Sequence, residues 1–357
     1  MVDRHNNHRR LRTATQWGVY DLEVRDGNIV AVAGIDADPD PAPMGDVLLD
    51  GVRHNTRIPR PAIRKSWLAC KDRGRAKRGA EPFVDVPWDE ALELAAGELK
   101  RVKDNYGNKA IFAGSYGWAS AGRFHHAQSQ LHRFINLMGG CTRAMNSYST
   151  AAAQVILPHV VAPWPHMELH QTSWRDVIEH SGLVVAFGGL PLRNTQVAYG
   201  GITEHNSARD MQRASERGVA FCNISPLRQD MPAWLKAQTL MPRPGTDVAL
   251  MLGLAYVLEH EALVNRDFLR SHCVGYERFR EYLLGTSDGV AKTPNWAAQV
   301  ADVEAEALVQ LARRMASGRT FITAAWSLQR ADHGEQPYWM VVTLAAMLGQ
   351  IGLPGGG

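Results

Sequence analysis

Two short stretches gather side chains that can do chemistry with no metal or nucleophile motif beside them. FAGSYGWASAGRF spans 112–124, and MNSYSTAAAQVI spans 145–156. The phenol of Tyr116 and the indole N–H of Trp118 can both donate to an oxygen atom. Ser149 is read from its spacing as a helix N-cap, because TAAAQVI follows it directly. A nucleophilic role is disfavoured, since no G-x-S-x-G surrounds it and no pairable histidine is near.

The other chemistry-bearing types are scattered. His125, His126 and His132 lie on one predicted helix, but only His125 and His132 share a face, and no H-x-x-x-H spacing occurs. Asp332 to Glu335 reads DHGE, which has acid–base residue types in a polar loop and is assigned no site. Cys70, Cys141, Cys222 and Cys273 contain no C-x-x-C pair. That spacing argues against a four-cysteine zinc or iron–sulfur site, and each is expected to be a small buried apolar residue.

Four apolar runs each lead into a loop of one character: IFAG into SYGWASAG, LVVAFGG into LPLRN, VAFCNIS into PLRQD, and TFITAA into WSLQRADHGEQ. In open α/β sheets a ligand lies outside the carboxyl ends of the strands. Glycine lets backbone N–H groups approach a phosphate, and arginine pairs with it through two donors. The shared pattern points to a nucleotide- or diphosphate-bearing ligand, although no G-x-G-x-x-G or P-loop lysine motif is present. In RPGTDVALMLG, Asp247 opens a predicted helix and is read first as its cap.

The elements that must hold these residues follow from periodicity. GVYDLEV, RDGN and IVAVAGI read as a hairpin turning at Asp26-Gly27. The preceding segment, with Arg9 and Arg10, has no apolar stretch of signal-peptide type and is expected to be irregular. RIPRPAIRKSWL is a proline-stiffened boundary. PWDEALELAAGELKRV predicts a helix with an apolar stripe at Leu92, Ala95, Ala96 and Leu99. From there helices alternate with short strands, so the expected class is α/β: a small N-terminal β unit followed by α/β/α layers with mostly parallel sheets. The expected division is 1–60, 61–178 and 179–357. The last part is Rossmann-like and incomplete at its C-terminal end.

The 357 residues carry 39 Lys and Arg against 36 Asp and Glu, a formal charge of +3. So small an excess gives no basis for nucleic-acid or polybasic membrane binding. No run is apolar and long enough to span a bilayer, and without a disulfide framework the expected compartment is the cytoplasm.

Taken in order, RIPRPAIRKSWL, VPWDEAL, GSYGWASAGRFHHAQSQLHRFINLMGG, NSYSTAAAQ, RPGTDVALMLGLAYVL and AWSLQRADHGEQPYWMVVTLAAMLGQIGLPGGG resemble the molybdopterin oxidoreductases. Within them they are similar to the dimethyl sulfoxide reductase group, nearest the biotin sulfoxide and methionine sulfoxide reductases. The resemblance implies molybdenum held by two molybdopterin guanine dinucleotides, with Ser149 as the protein ligand to the metal and no iron–sulfur cluster. It implies that Tyr116 and Trp118 are catalytic and that Tyr116, Gly117 and Trp118 line the cofactor. Tyr116 leans toward sulfoxide rather than N-oxide substrates. The cofactor's phosphates and guanines would meet Arg193, Asn194, Ile224, Ser225, Gly245, Thr246, Asp247, Trp326, Ser327 and Arg330.

The implied activity is reduction of an S-oxide to a thioether, with two electrons and two protons arriving from an unidentified electron donor. Family chains run well past GLPGGG, so an N-terminal portion is expected, which implies little bound molybdenum and no turnover in this chain alone. The alternatives are an inactive cofactor-binding fragment, a dimethyl sulfoxide or trimethylamine N-oxide reductase, and an unrelated nucleotide-binding α/β module.

Overall fold

The computed structural model describes residues 8–70, 79–115, 126–147, 149–198 and 200–357. Contacts divide the chain into two compact units, Met1–Met145 with Gln196–His205, and Asn146–Thr195 with Asn206–Gly357.

The first unit opens with three antiparallel strands, β1 (His8–Thr15), β2 (Gly18–Arg25) and β3 (Asn28–Gly34). Asp26 and Gly27 both take positive φ, 49° and 77°, which gives a two-residue turn whose twist matches the flanking strands. The segment expected to be irregular is therefore a strand from His8. It carries no apolar face of its own, which is why alternation did not reveal it. Its order comes from the ladder to β2 and from Arg12, whose guanidinium forks onto Asp21 opposite it at 2.7 and 2.9 Å. The apolar side belongs to β2, where Tyr20 and Leu22 are buried.

A two-stranded antiparallel ribbon follows, β4 (Ala62–Arg64) with β5 (Phe83–Asp85). The helix Trp88–Tyr106 forms as expected, but its stripe does not. Leu92 is 59% exposed, and the more protected side runs through Ala91, Leu94, Leu99 and Val102. Apolar residues sit on more than one side of this helix, so packing rather than spacing selects the protected face. The strand expected at IFAG is reduced to one bridge, Phe112 with Thr142, held by two backbone hydrogen bonds of 2.8 and 3.1 Å. The segment Gln196–His205 joins this unit through a buried contact. His205 donates its backbone N–H to Asp38 Oδ1 at 2.9 Å and sets Nδ1 2.6 Å from Oδ2.

The second unit is built on four parallel strands, β6 (Leu183–Phe187), β7 (Ala220–Ile224), β8 (Gln238–Leu240) and β9 (Thr320–Ala324). Their order is β8-β7-β6-β9. Successive side chains of β6 alternate between two cores. Leu183, Val185 and Phe187 join Leu250, Leu254, Leu311 and Met347 from the helices Asp247–His260, Ala305–Ala316 and Gln336–Met347. Val184 and Ala186 face Val177, Met211 and Ala214 from the helices Trp174–His180 and Ser207–Glu216. Both faces of the sheet are thus covered, which explains why its strands read as continuous apolar runs. The expected α/β class, with a small β unit ahead of a parallel sheet, is the fold observed.

The cysteines depart from expectation. Only Cys222 is fully buried, and burial pushes its thiol up to about 12. Cys70 is exposed, while Cys141 and Cys273 are half-buried. Among the described residues, no helix is long and apolar enough to cross a membrane.

Candidate functional site

The chain leaves β6 for β7 and β8 on one side and returns to β9 on the other. The switch point lies between β6 and β9, and open α/β sheets bind their ligands outside the carboxyl ends of the strands at such a point. Two hydrogen bonds stitch the strand ends there. Gly188 N–H donates to the Ile224 carbonyl at 2.7 Å, and Ala325 N–H donates to the Phe187 carbonyl at 2.8 Å. Gly188 and Gly189 both have positive φ, 85° and 74°. A Cβ on Gly188 would stand 2.6 Å from the Ala325 methyl, and one on Gly189 would stand 2.4 Å from the Asp230 carbonyl oxygen. These two glycines let three loops approach one another.

The loop after β6 carries Arg193 and Asn194 in the 3-10 turn Leu192–Thr195. The Arg193 guanidinium donates to Asp230 Oδ1, while most of the side chain stays exposed. Ser225, at the end of β7, donates its hydroxyl to Asp230 Oδ2 at 2.6 Å and accepts from Leu227 N–H at 3.3 Å. Ile224 is fully buried in β7. Arg193 and Ser225, expected from separate loops, are therefore brought together by Asp230, a residue outside the expected set. Its only signal was an aspartate closing PLRQD, five residues past Ser225.

Beneath them Asn223 is completely buried. Its amide reaches the Leu227 and Arg228 carbonyls at 3.4 and 3.5 Å, and its Oδ1 has no partner among the described residues. That oxygen lies 3.0 Å from where a Gly189 Cβ would stand.

Gly245, Thr246 and Asp247 lie on the approach to the helix Asp247–His260. The expected cap is not made. Thr246 occupies the cap position and spends its hydroxyl on the Arg243 carbonyl at 2.6 Å, while Asp247 is already the first helical residue. Burial raises the Asp247 carboxyl above its ordinary value. Burial also pushes the Tyr338 phenol up to about 12, with the Asp247 charge adding to it.

Trp326 and Ser327 belong to the 3-10 turn Trp326–Gln329 after β9, with Arg330 just beyond it. The Trp326 ring packs 5.7 Å from Trp164 and 5.7 Å from Tyr338. Ser327 and Arg330 are exposed. Tyr338 also joins Ala153 and Leu157 in a small core that seats the helix Ala151–Val160.

That helix begins two residues after Ser149, and Ser149 is not its cap. Thr150 holds the cap position without a side-chain hydrogen bond. Instead the Gln329 side-chain oxygen accepts from Ala152 N–H at 3.0 Å. Ser149 N–H donates to Ser147 Oγ at 3.3 Å, and the half-buried Ser149 hydroxyl has no hydrogen-bond partner among the described residues. Tyr116, Gly117 and Trp118, together with His125, lie outside the described residues. Among the described residues, no group of three or more His, Cys, Asp or Glu side chains is placed to hold a metal ion.

A parallel sheet covered on both faces, with closely approaching glycine loops at its switch point, defines a doubly wound α/β protein. The chain belongs to the molybdopterin oxidoreductase family. The model of that family matches residues 57–357, and its N-terminal domain model matches residues 13–53. A dimethyl sulfoxide/trimethylamine N-oxide reductase of Cereibacter sphaeroides is 43% identical over 348 residues, 97% of this chain and 42% of the relative. A biotin sulfoxide reductase of the same organism is 44% identical over 302 residues, 84% of this chain and 41% of the relative. A trimethylamine-N-oxide reductase of Haemophilus influenzae is 40% identical over 346 residues. These relatives place the chain in the dimethyl sulfoxide reductase group, and the chain spans about 42% of their length. Acetylene hydratase from Pelobacter acetylenicus shares the fold over 94% of this chain and 43% of its own, with a TM-score of 0.65 at 21% identity.

Proposed function

We propose that this chain forms the cofactor-holding part of a molybdenum enzyme that reduces a small S-oxide or N-oxide. The observation that carries the reading is the Ser149 hydroxyl. It is half-buried, spent on no cap, and lies just before a helix N-terminus. The positive end of a helix favours an oxygen anion there. A single hard oxygen suits a high-valent metal whose remaining ligands come from the cofactor's sulfurs. The donor set fits a molybdopterin centre and would not by itself hold a free divalent ion.

A bound molybdopterin cofactor would supply the two-electron oxygen-transfer chemistry. The chain's own residues bind and orient. Arg193 offers an exposed guanidinium for a phosphate, pre-aimed by Asp230. Asn223 Oδ1, fully buried behind Gly189, backs the loops after β6 and β7. Asp247, held at a helix start next to Gly245 and Thr246, is a carboxylate suited to the paired N–H donors of a guanine base, which favours the guanine dinucleotide form. Trp326, Ser327 and Arg330 from the loop after β9, and Asn194, Ile224 and Ser225 from the loop after β6 and the end of β7, would complete the cofactor's surroundings. Tyr116 and Trp118 would donate to the oxide oxygen, while an electron donor completes the cycle.

Both S-oxides and N-oxides stay within the reading, since the relatives include reductases of each. The test is to purify the full-length protein from a host that makes the cofactor, then measure bound molybdenum, released guanine nucleotide, and turnover of dimethyl sulfoxide, biotin sulfoxide, methionine sulfoxide and trimethylamine N-oxide. Stoichiometric molybdenum with turnover of at least one oxide supports it. A folded protein without molybdenum, or with molybdenum and no turnover of any oxide, would sink it.

A further inference from the structure

A helix needs acceptors for its first N–H groups, and a side chain at the cap position ordinarily supplies one. The helix Ala151–Val160 lacks that device, because Thr150 makes no side-chain cap. The acceptor comes instead from 177 residues away, where Gln329 Oε1 takes the Ala152 N–H at 3.0 Å. Ala152 is the second helical residue, one of the two positions that a local cap side chain serves.

The backbone of Gln329 is itself confined. It closes the 3-10 turn that carries Trp326 and Ser327. Gly334 lies so close that a Cβ there would stand 2.1 Å from the Gln329 carbonyl oxygen. The Tyr338 hydroxyl donates to the Ala325 carbonyl at 3.1 Å, and the Tyr338 ring packs in the small core under the same helix. The Gln329 amide therefore links the loop after β9 to the start of the helix that follows Ser149.

We infer that Gln329 is a positioning residue. It caps the Ala151–Val160 helix from a distance and fixes where the Ser149 hydroxyl stands relative to Trp326, Ser327 and Arg330. The inference rests on the reading of Ser149 as the metal's protein ligand. The remote cap ties the start of this helix, and with it the turn that carries Ser149, to the loop after β9.

The test uses the full-length protein with Gln329→Leu, which keeps bulk and removes the acceptor, and Gln329→Glu, which keeps an acceptor. Amide exchange is followed at Ala152 in cofactor-free protein, and the paramagnetic resonance spectrum of the molybdenum is recorded in loaded protein beside kcat and KM. Gln329→Leu is expected to speed Ala152 exchange about fivefold, the loss of one cap. It should also shift the metal's spectrum and lower kcat with KM little changed, and Gln329→Glu should restore all three.

Unchanged Ala152 exchange in Gln329→Leu would overturn the cap. Faster exchange with an unchanged spectrum and kcat would overturn the positioning role. Ser149→Ala, run beside them, separates the two ideas: if it keeps the wild-type spectrum, the ligand reading fails, whereas the exchange result at Ala152 stands regardless.

Discussion

The Ser225 hydroxyl donates to Asp230 Oδ2 at 2.6 Å while the Arg193 guanidinium holds Oδ1, so one carboxylate joins the loops after β6 and β7. The two sides differ in burial: Ser225 is 1% exposed and the Arg193 side chain 59%. Asp230→Ala strands a buried hydroxyl and should cost about 2 kcal/mol. Arg193→Ala breaks a largely exposed pair and should cost no more than about 1 kcal/mol, while weakening retention of the cofactor. Urea unfolding of both variants checks this. Equal losses would mean the ion pair, and not the buried hydroxyl, carries the joint.

Ser149→Ala separates chemistry from folding. Since the helix is capped by Gln329, removing the Ser149 hydroxyl should change stability by less than about 0.5 kcal/mol. Molybdenum binding and oxide turnover in the full-length protein should fall sharply. A stability loss near 1 kcal/mol, the usual worth of a cap, with turnover intact would return Ser149 to the role its spacing first indicated.

Gly189 and Gly245 make a controlled pair. Both have positive φ, 74° and 80°, so alanine at either should cost about 1 kcal/mol of backbone strain. At Gly245 none of the described residues lies within 4 Å of an added Cβ, whereas at Gly189 the Asp230 backbone blocks it at 2.4 Å. Gly189→Ala should therefore be the more destabilising by thermal unfolding, and it alone should disturb the close approach of the loops after β6 and β7. Equal melting temperatures would show that the β6 loop yields freely.

Burial raises the Asp247 carboxyl in the folded protein. The folded state then holds the proton more tightly than the unfolded chain. The stability this gives is fully present below the unfolded pKa and is lost as pH rises through the folded one. Asp247→Asn should consequently stabilise the cofactor-free protein at neutral pH and flatten its stability profile on the acidic side. It should also weaken binding of a guanine nucleotide more than that of an adenine nucleotide. A profile identical to wild type would mean the carboxyl is solvated.

Much of the architecture was legible because it is local. The Asp26-Gly27 turn, the glycine stop after the helix Ser207–Glu216, and the apolar runs of β6, β7 and β9 each follow from residues within a few positions. What stayed hidden lacked a local signature. β1 is a charged strand ordered by its neighbour, β8 has three residues, and the exposed Leu92 shows that spacing names a helix without choosing its inner face.

The candidate site divides in the same way. The sequence by itself located the loops after β6, β7 and β9, because glycine, serine and arginine types follow each apolar run there, whereas the run before SYGWASAG forms only one bridge. It also offered two local roles, caps at Ser149 and Asp247, and neither holds. Only the tertiary structure decided that Thr150 and Thr246 sit at the cap positions, that Gln329 reaches across 177 residues to Ala152, and that Asp230 collects Arg193 and Ser225. The physical reason is that a backbone N–H or a carboxylate takes whichever partner the packed chain brings within about 3 Å. A sequence read a few residues at a time shows only the partners that are already near.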